Sequence, residues 1–257
     1  MIREINSTTN PFVKHIRGLV RSKKLRKKSG SFVIEGWRGI DSLLQEESPF
    51  FQLKQLVVSN DWKNDSRLPA TVEIVMVPDF VFTAISDVQS AQGILGVVTM
   101  REVPFSILPE AGNYLLLDRL RDPGNLGTLI RSAVGAGFDG VLLYGDCAEV
   151  FNPKVVRSTM GTLAFSKVWK IGMAELEQML AEGYDLCVTA GVGGKNLYQT
   201  SFGAKNILVV GSEAHGVADD LMARATQKIT IPIASECESL NAAIAGSICM
   251  FQIKNSN

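Results

Sequence analysis

Histidine is scarce in this chain, and so are the residue patterns on which metal-dependent and nucleophilic enzymes rely. Only two histidines occur among 257 residues, His15 and His215, and there is no HExxH motif. The four cysteines form no CxxC pair, so neither a structural zinc site nor a disulfide framework is expected. We therefore expect reduced, mostly buried thiols and no metal. With no GxSxG elbow and so few bases, nucleophilic hydrolysis is a poor hypothesis.

Long apolar runs are also missing. No stretch reaches the length of a membrane span, and the N-terminus lacks the apolar core of a signal peptide. A hydrophobic content of 46% with 20% charged residues is typical of a globular protein. The sequence therefore predicts a cytoplasmic protein with no membrane partner.

The common nucleotide-binding motifs are missing or misplaced. No Walker-type GxxxxGK[ST] occurs, and the one GxGxxG match spans residues 135–140. A dinucleotide fingerprint needs a strand before the glycines and a helix after them. Here the glycines end a predicted helix and lead into a strand, so a helix C-cap is the better interpretation. A nicotinamide-dependent oxidoreductase is therefore rejected.

The formal net charge is zero, but it is unevenly distributed. Residues 1–30 hold nine Lys/Arg and a single acid, a net charge of +8, and the remainder carries −8. Such a run is either a solvated helix face or a phosphate-contacting arm. The cations singled out as candidate RNA contacts are Arg21, Lys23, Lys24, Lys27 and Lys28.

Strand and helix patterns divide the chain in two. Residues 1–100 show a small α/β pattern, residues 101–112 contain two prolines and are predicted to be a linker, and residues 113–257 alternate strictly between strand and helix. Apolar strands alternating with helices predict a parallel sheet covered on both faces. Three loops rich in glycine and small polar residues each follow a strand: "DRLRDPGNLGTLIR", "VVGSEAHGV" and "IPIASECESLNAA". Ligands bind beyond the carboxyl ends of such strands, so the loops predict one site for a neutral or cationic small molecule.

In order, spacing and residue type, these three loops resemble the three motifs of the SpoU (TrmH-like) family of RNA 2′-O-methyltransferases. "NPKVVRSTMG" resembles a further segment of that family, and "FVIEGWRGIDSLL" and "AQGILGVV" are similar to the small RNA-binding domain, with an L30e-like fold, often fused in front. The resemblance covers nearly the whole chain. It implies a trefoil-knotted α/β domain that binds S-adenosyl-L-methionine, acts on RNA and forms a homodimer. Ribosomal RNA is the expected substrate; transfer RNA, or an inactive RNA-binding protein of the same fold, are the alternatives.

The resemblance also assigns roles to residues. It implies a catalytic group and a cofactor-binding group: the first comprises Asn125, Arg131, Glu213, Ser239 and Asn241, and the second comprises Thr189, Ala190, Gly191, Gly211, Ile231 and Leu240. Arg131 lies in a segment that otherwise looks like core, but helical spacing puts it with Gly127 and Gly135 on a face other than the apolar stripe. It either pairs with an acid such as Glu213 or grips RNA near the reacting ribose. Its high pKa argues for stabilisation of a developing alkoxide by charge rather than for a general base.

Local helix signals accompany these roles. Asn125 is a candidate N-cap of a helix starting near it, and Ser239 is a candidate N-cap of the last helix. Asn152-Pro153 is predicted to open another helix as cap and first-turn residue. The last helix also has an Ala/Gly face (Ala242, Ala245 and Gly246) that is a candidate dimer contact. Ala242-Ala243 replaces the Val-Ser common in the family, and Thr159 a serine; both changes leave the polar site residues intact.

Overall fold

The computed structural model of the chain describes residues 2–45, 48–62, 68–69, 71–105 and 112–256. Two compact units are present: the first comprises residues 1–103 and 149–165, and the second comprises residues 104–148 and 166–257. The predicted linker at 101–112 lies partly outside the described residues, and the predicted domain boundaries stay a prediction.

The first unit contains a five-stranded mixed sheet. In spatial order the strands are β1-β4-β3-β5-β2, with β4 parallel to β1 and β3, and β5 antiparallel to β3 and β2. The strands are β1 (Ile2–Glu4), β2 (Ser31–Glu35), β3 (Phe51–Ser59), β4 (Glu73–Val77) and β5 (Ile94–Met100). The helices are α1 (Pro11–Arg21), α2 (Lys23–Ser29), α3 (Trp37–Gln45) and α4 (Asp79–Ile85).

The second unit contains a seven-stranded sheet in which every described pair of strands is parallel. Its order is β10-β12-β9-β11-β6-β7-β8. The strands are β6 (Gly112–Asp118), β7 (Gly140–Tyr144), β8 (Val168–Ile171), β9 (Asp185–Thr189), β10 (Lys195–Asn196), β11 (Lys205–Val210) and β12 (Gln227–Thr230). The helices that follow in the chain are α5 (Pro123–Gly135), α6 (Pro153–Ser158, in the first unit), α7 (Met173–Ala181), α8 (Asp219–Arg224) and α9 (Ala242–Ser256).

Alternation along the strands of the second sheet separates two apolar layers. Leu116 and Val209 pack in a buried cluster with Leu176 of α7 and Leu221 of α8. Val210, which points the other way, lies against α9, where Gly246 leaves room for Val210 and for Leu129 of α5. The parallel sheet covered on both faces, which the alternation of strands and helices predicts, is therefore confirmed.

The basic segment folds into two capped helices rather than an extended arm. The Asn10 side chain accepts a hydrogen bond from the Phe12 N–H before α1, and the Ser22 side chain accepts one from the Leu25 N–H before α2. The apolar face of α1 belongs to the core of the first unit. The local sequence therefore supplies a capping side chain for the first turn of each helix.

Residues 149–165 form part of the core of the first unit, although strands of the second unit flank them in the chain. The Phe151 ring lies 4.8 Å from the Phe32 ring and 5.9 Å from the Phe51 ring, and Val155 is fully buried. Glu149 receives two hydrogen bonds from the Arg26 guanidinium, at 2.8 and 2.6 Å. The chain thus crosses between the units three times.

Candidate functional site

The carboxyl ends of four neighbouring strands, in the order β12, β9, β11 and β6, meet at one edge of the second sheet. The three Gly-rich loops follow β6, β11 and β12, and a fourth loop follows β9. The prediction that the three loops meet at one sheet edge is therefore confirmed. Hydrogen bonds tie the ends of β9 and β12: the Ala190 N–H donates to the Ile229 carbonyl at 2.8 Å, and the Thr230 hydroxyl donates to the Ala190 carbonyl at 3.0 Å.

A cavity of about 360 Å³ opens between these loops. Its lining includes every residue that the resemblance assigns to the cofactor: Thr189, Ala190, Gly191, Gly211, Ile231 and Leu240. Three predicted catalytic residues also line it: Glu213, Ser239 and Asn241. The cavity therefore brings together nine of the eleven predicted catalytic and cofactor residues.

A chain of amide and carboxylate groups joins the three loops. The Asn125 side-chain amide donates a hydrogen bond to the Glu213 carboxylate, and the Asn241 amide donates to the Asn125 side-chain oxygen at 3.0 Å. The side-chain oxygen of Asn241, Oδ1, accepts hydrogen bonds from the N–H groups of Ala243 and Ile244 at 2.9 and 3.2 Å. Asn241, not Ser239, therefore caps α9, which begins at Ala242 and not within Ser239–Asn241.

Asn125 is likewise not a cap. The side chain of Asp122 accepts the Asn125 N–H at 2.8 Å, and Pro123 occupies the first turn, so α5 begins two residues before Asn125. This frees the Asn125 side chain for the contacts to Glu213 and Asn241. The cap at Asn152 before α6 is confirmed, because its side chain accepts the Lys154 N–H at 2.9 Å.

Arg131 lies apart from this chain of contacts. It is exposed, it is not part of the cavity lining, and it has no hydrogen bond or ion pair with any described residue. Its exposure agrees with a location off the apolar stripe of α5, and of the two alternatives for Arg131 the pairing with an acid such as Glu213 is not formed. Six residues separate Arg131 from Asn125 on α5, which corresponds to about 9 Å along the helix axis and about 120° around it. The two side chains therefore leave the helix on different faces.

A buried acid fixes the first two loops to each other. Asp118, at the end of β6, is fully buried; its Oδ2 accepts the Ala218 N–H at 2.7 Å and an Arg119 Nη2–H at 3.1 Å. Arg119 also donates from Nε to Oδ1 at 2.9 Å, and these hydrogen bonds raise the pKa of Arg119 further above its ordinary value. The backbone of Arg119 is in the left-handed region, at φ 52°, which is strained for a residue other than glycine. The role of Asp118 is not predicted from the sequence, although a carboxylate at a strand end next to a motif is a usable signal.

Gly211 is required by close backbone packing. A Cβ at this position would overlap the backbone of Gly216 and Val217. Ser212 and Gly216 pair through two backbone hydrogen bonds, at 3.1 and 2.8 Å, which folds the second loop back on itself. Because Gly211 has no side chain, the two arms of this loop can pack closely beside the cavity.

The cavity fits S-adenosylmethionine in size and chemistry. Its volume lies within the range of small-ligand sites, roughly 300–1,000 Å³. Ile229, Ile231 and Leu240 in its lining offer apolar contacts for a nucleoside. Within the described residues no group of three or more His, Cys, Asp and Glu is arranged to hold a metal, and no helix is long and apolar enough to cross a membrane.

The basic residues predicted to contact RNA lie in the first unit. Arg21, Lys23, Lys24, Lys27 and Lys28 are all exposed. Arg26, in the middle of the same run, is buried: besides pairing with Glu149, it donates to the Leu19 and Val20 carbonyls at 2.6 and 3.0 Å. Of the six cations in residues 21–28, five are therefore exposed to solvent and one, Arg26, has a structural role.

Comparison with known proteins agrees with this architecture. The SpoU rRNA Methylase family matches residues 112–251, and the MRM3-like substrate binding domain matches residues 10–96. The 23S rRNA (guanosine(2553)-2′-O)-methyltransferase RlmP of Bacillus subtilis is 31% identical, over 98% of this chain and 100% of its own length.

Solved structures give the same result. An rRNA methyltransferase from Sinorhizobium meliloti is 30% identical, with a TM-score of 0.89 over 99% of this chain and 98% of its own. Its AdoMet-bound structure has a TM-score of 0.86 at the same identity, over 99% of this chain and 98% of its own. The chain therefore belongs to the SpoU rRNA methylase family, which confirms the predicted α/β fold class, the predicted enzyme class and S-adenosylmethionine as the predicted cofactor.

Proposed function

We propose that this chain transfers the methyl group of S-adenosylmethionine to a ribose 2′-hydroxyl of ribosomal RNA, with Asn125, Arg131, Glu213, Ser239 and Asn241 as its catalytic residues. The observation that carries the proposal is the contact chain Glu213–Asn125–Asn241, which joins three loops at the cavity. The names of relatives support the substrate class, because RlmP of Bacillus subtilis is a 23S rRNA 2′-O-methyltransferase.

The site residues position groups and exclude water more than they form bonds. The bound cofactor supplies an electrophilic methyl group, so the protein has to align the ribose oxygen and stabilise its developing charge. Asn125 is fixed from both sides, by Glu213 and by Asn241, and its orientation is therefore defined before RNA binds. Ser239 is exposed at the cavity, where its hydroxyl is available to the ribose.

Arg131 supplies the positive charge, and we assign it to the cavity of the partner in a homodimer. Its own cavity does not include it, and it has no partner among the described residues. The Ala/Gly face of α9 is not the free surface: Gly246 packs within its own chain, and Ala242 and Ala245 line the cavity. The exposed apolar positions are Ile244 and Phe251, 54% and 44% exposed, which share one face of α9 at i and i+7.

Two further features belong to the proposal. A trefoil knot formed by the chain from about Asn206 onward is supported by the position of β11 between β6 and β9, both of which precede it in the chain. A cytoplasmic location is supported by the ribosomal substrate of the bacterial relative.

Mixed dimers test the catalytic assignment. Arg131→Ala alone should keep S-adenosylmethionine binding and lose roughly 10²–10³-fold in methyl transfer, the usual cost of removing one donor aimed at a developing oxyanion. Asn241→Ala alone should also be nearly inactive. Mixing the two variants should restore activity, because one of the two sites in each heterodimer then has an intact cavity and an intact Arg131.

The assay measures ribose methylation of ribosomal RNA, with transfer RNA in parallel. Full activity of Arg131→Ala would refute a catalytic role for this residue. Two inactive variants that fail to complement each other would place Arg131 in its own site instead. Methylation of transfer RNA alone would refute ribosomal RNA as the substrate.

A further inference from the structure

The lining of the cavity carries charge of one sign. Among the described residues that form it, Glu213 and Glu238 are the only charged side chains, and neither Lys nor Arg is present. A cavity with low-dielectric walls concentrates the field of such charges. The site therefore favours a cation over a neutral molecule of the same shape.

The two carboxylates differ in their hydrogen bonding. The Glu213 carboxylate is engaged by Asn125, as part of the contact chain between the loops. Glu238 is exposed in the loop between β12 and α9, and it makes no hydrogen bond or ion pair with any described residue. Its charge is therefore not neutralised by the described part of the chain.

We propose that Glu238 makes the cavity discriminate between the cationic cofactor and its neutral product; this inference rests on the proposed function. In the reaction the methyl group moves from sulfur to the ribose oxygen, the S–CH₃ bond breaks, the O–CH₃ bond forms and the hydroxyl proton leaves to solvent. The sulfonium thereby becomes a neutral thioether. The Glu238 carboxylate attracts the former and not the latter, so S-adenosylhomocysteine is released more readily than S-adenosylmethionine.

Glu236 provides a matched control. It lies two residues earlier in the same loop, is exposed and carries the same charge, but it does not line the cavity. A general effect of charge in this loop would act through both residues, whereas discrimination at the cavity requires Glu238 alone. Both can be changed to glutamine with little change in side-chain volume.

The experiment is isothermal titration calorimetry of the full chain, Glu238→Gln and Glu236→Gln with three ligands. These are S-adenosylmethionine, S-adenosylhomocysteine and sinefungin, whose amine carries the positive charge near the position of the sulfonium. All three share the same nucleoside and amino-acid ends, so contacts to those ends cancel in the comparison.

Glu238→Gln should weaken the binding of both cationic ligands about fivefold and leave the binding of S-adenosylhomocysteine unchanged. Fivefold is the factor expected for the loss of attraction between opposite unit charges about 4 Å apart in water. The difference should shrink at about 1 M salt, where the Debye length falls to about 3 Å. Glu236→Gln should leave all three unchanged.

Equal weakening of all three ligands by Glu238→Gln would overturn the inference, because the carboxylate would then contact a group common to them. No change for any ligand would overturn it too, as would an equal loss in Glu236→Gln. If the unmodified chain bound none of the three, the proposed function itself would fail, and the inference with it.

Discussion

The salt dependence of RNA binding should report on the exposed cations of α2. Changing Lys23, Lys24, Lys27 and Lys28 to glutamine removes four exposed charges and leaves helix propensity nearly unaltered. Each phosphate contact contributes about 0.7 to the slope of log affinity against log salt for single strands and about 0.9 for duplexes. The slope should therefore flatten by about 3, which corresponds to roughly 60-fold less loss of affinity between 50 and 200 mM salt.

The assay is fluorescence anisotropy with a labelled ribosomal RNA fragment at four or more salt concentrations. Binding of S-adenosylmethionine should be unchanged, because none of the four lysines lines the cavity. A control variant changes four exposed lysines of the second unit, Lys167, Lys170, Lys195 and Lys228, and so matches the change in net charge. An equal flattening in both variants would show that net charge alone matters, and an unchanged slope in the first would refute the RNA role of α2.

Arg26 lies in the same helix as these lysines, but we expect it to stabilise the fold and not to contact RNA. Its side chain is 3% exposed and that of its partner Glu149 is 16% exposed. Arg26→Gln leaves a largely buried carboxylate without its cation, which typically costs about 3–5 kcal/mol. The midpoint of thermal unfolding should fall while the salt slope of the folded protein stays the same; the opposite pattern would contradict the distinction between Arg26 and its neighbours.

Two further changes test the second unit. Gly211→Ala places a methyl group against the backbone of Gly216 and Val217, so calorimetry should show lost S-adenosylmethionine binding. Gly203→Ala, which lies outside the cavity lining and makes only an ordinary contact with Asp185, should retain binding. Normal binding by Gly211→Ala would contradict the close approach. The double change Ile244→Glu and Phe251→Glu should convert the proposed homodimer to a monomer, because buried unpaired carboxylates oppose association. The mass is measured by analytical ultracentrifugation, and a dimer mass in the double variant would exclude this face of α9 as the interface.

Sequence patterns predicted those parts of the site that depend on local order. The strand-then-loop pattern indicated which loops meet, since parallel strands present their carboxyl ends at one edge. The Asn152 cap followed from its Asn-Pro signal. The same signal occurs at Asp122-Pro123 and marks the true start of α5, two residues before the start that the Pro-Gly-Asn sequence indicates.

Contacts between distant residues could not be predicted in this way. Arg26 belongs to a run that looks uniformly solvated, and its burial depends on Glu149, 123 residues further along the chain. Helical spacing correctly puts Arg131 off the apolar stripe of α5, but it does not show that Arg131 lies outside the cavity lining. Periodicity defines which residues share a face, and only tertiary packing decides which face is covered.

The insertion of residues 149–165 into the core of the first unit limits how the two units could have been exchanged in evolution. The family match to residues 112–251 includes this segment, so a methylase domain transferred alone would carry Phe151 and Val155 without the apolar surface that covers them. A new N-terminal domain would have to provide both an apolar pocket and a cation for Glu149. Changes at Phe32 or Arg26 are therefore expected to be accompanied by changes in residues 149–165.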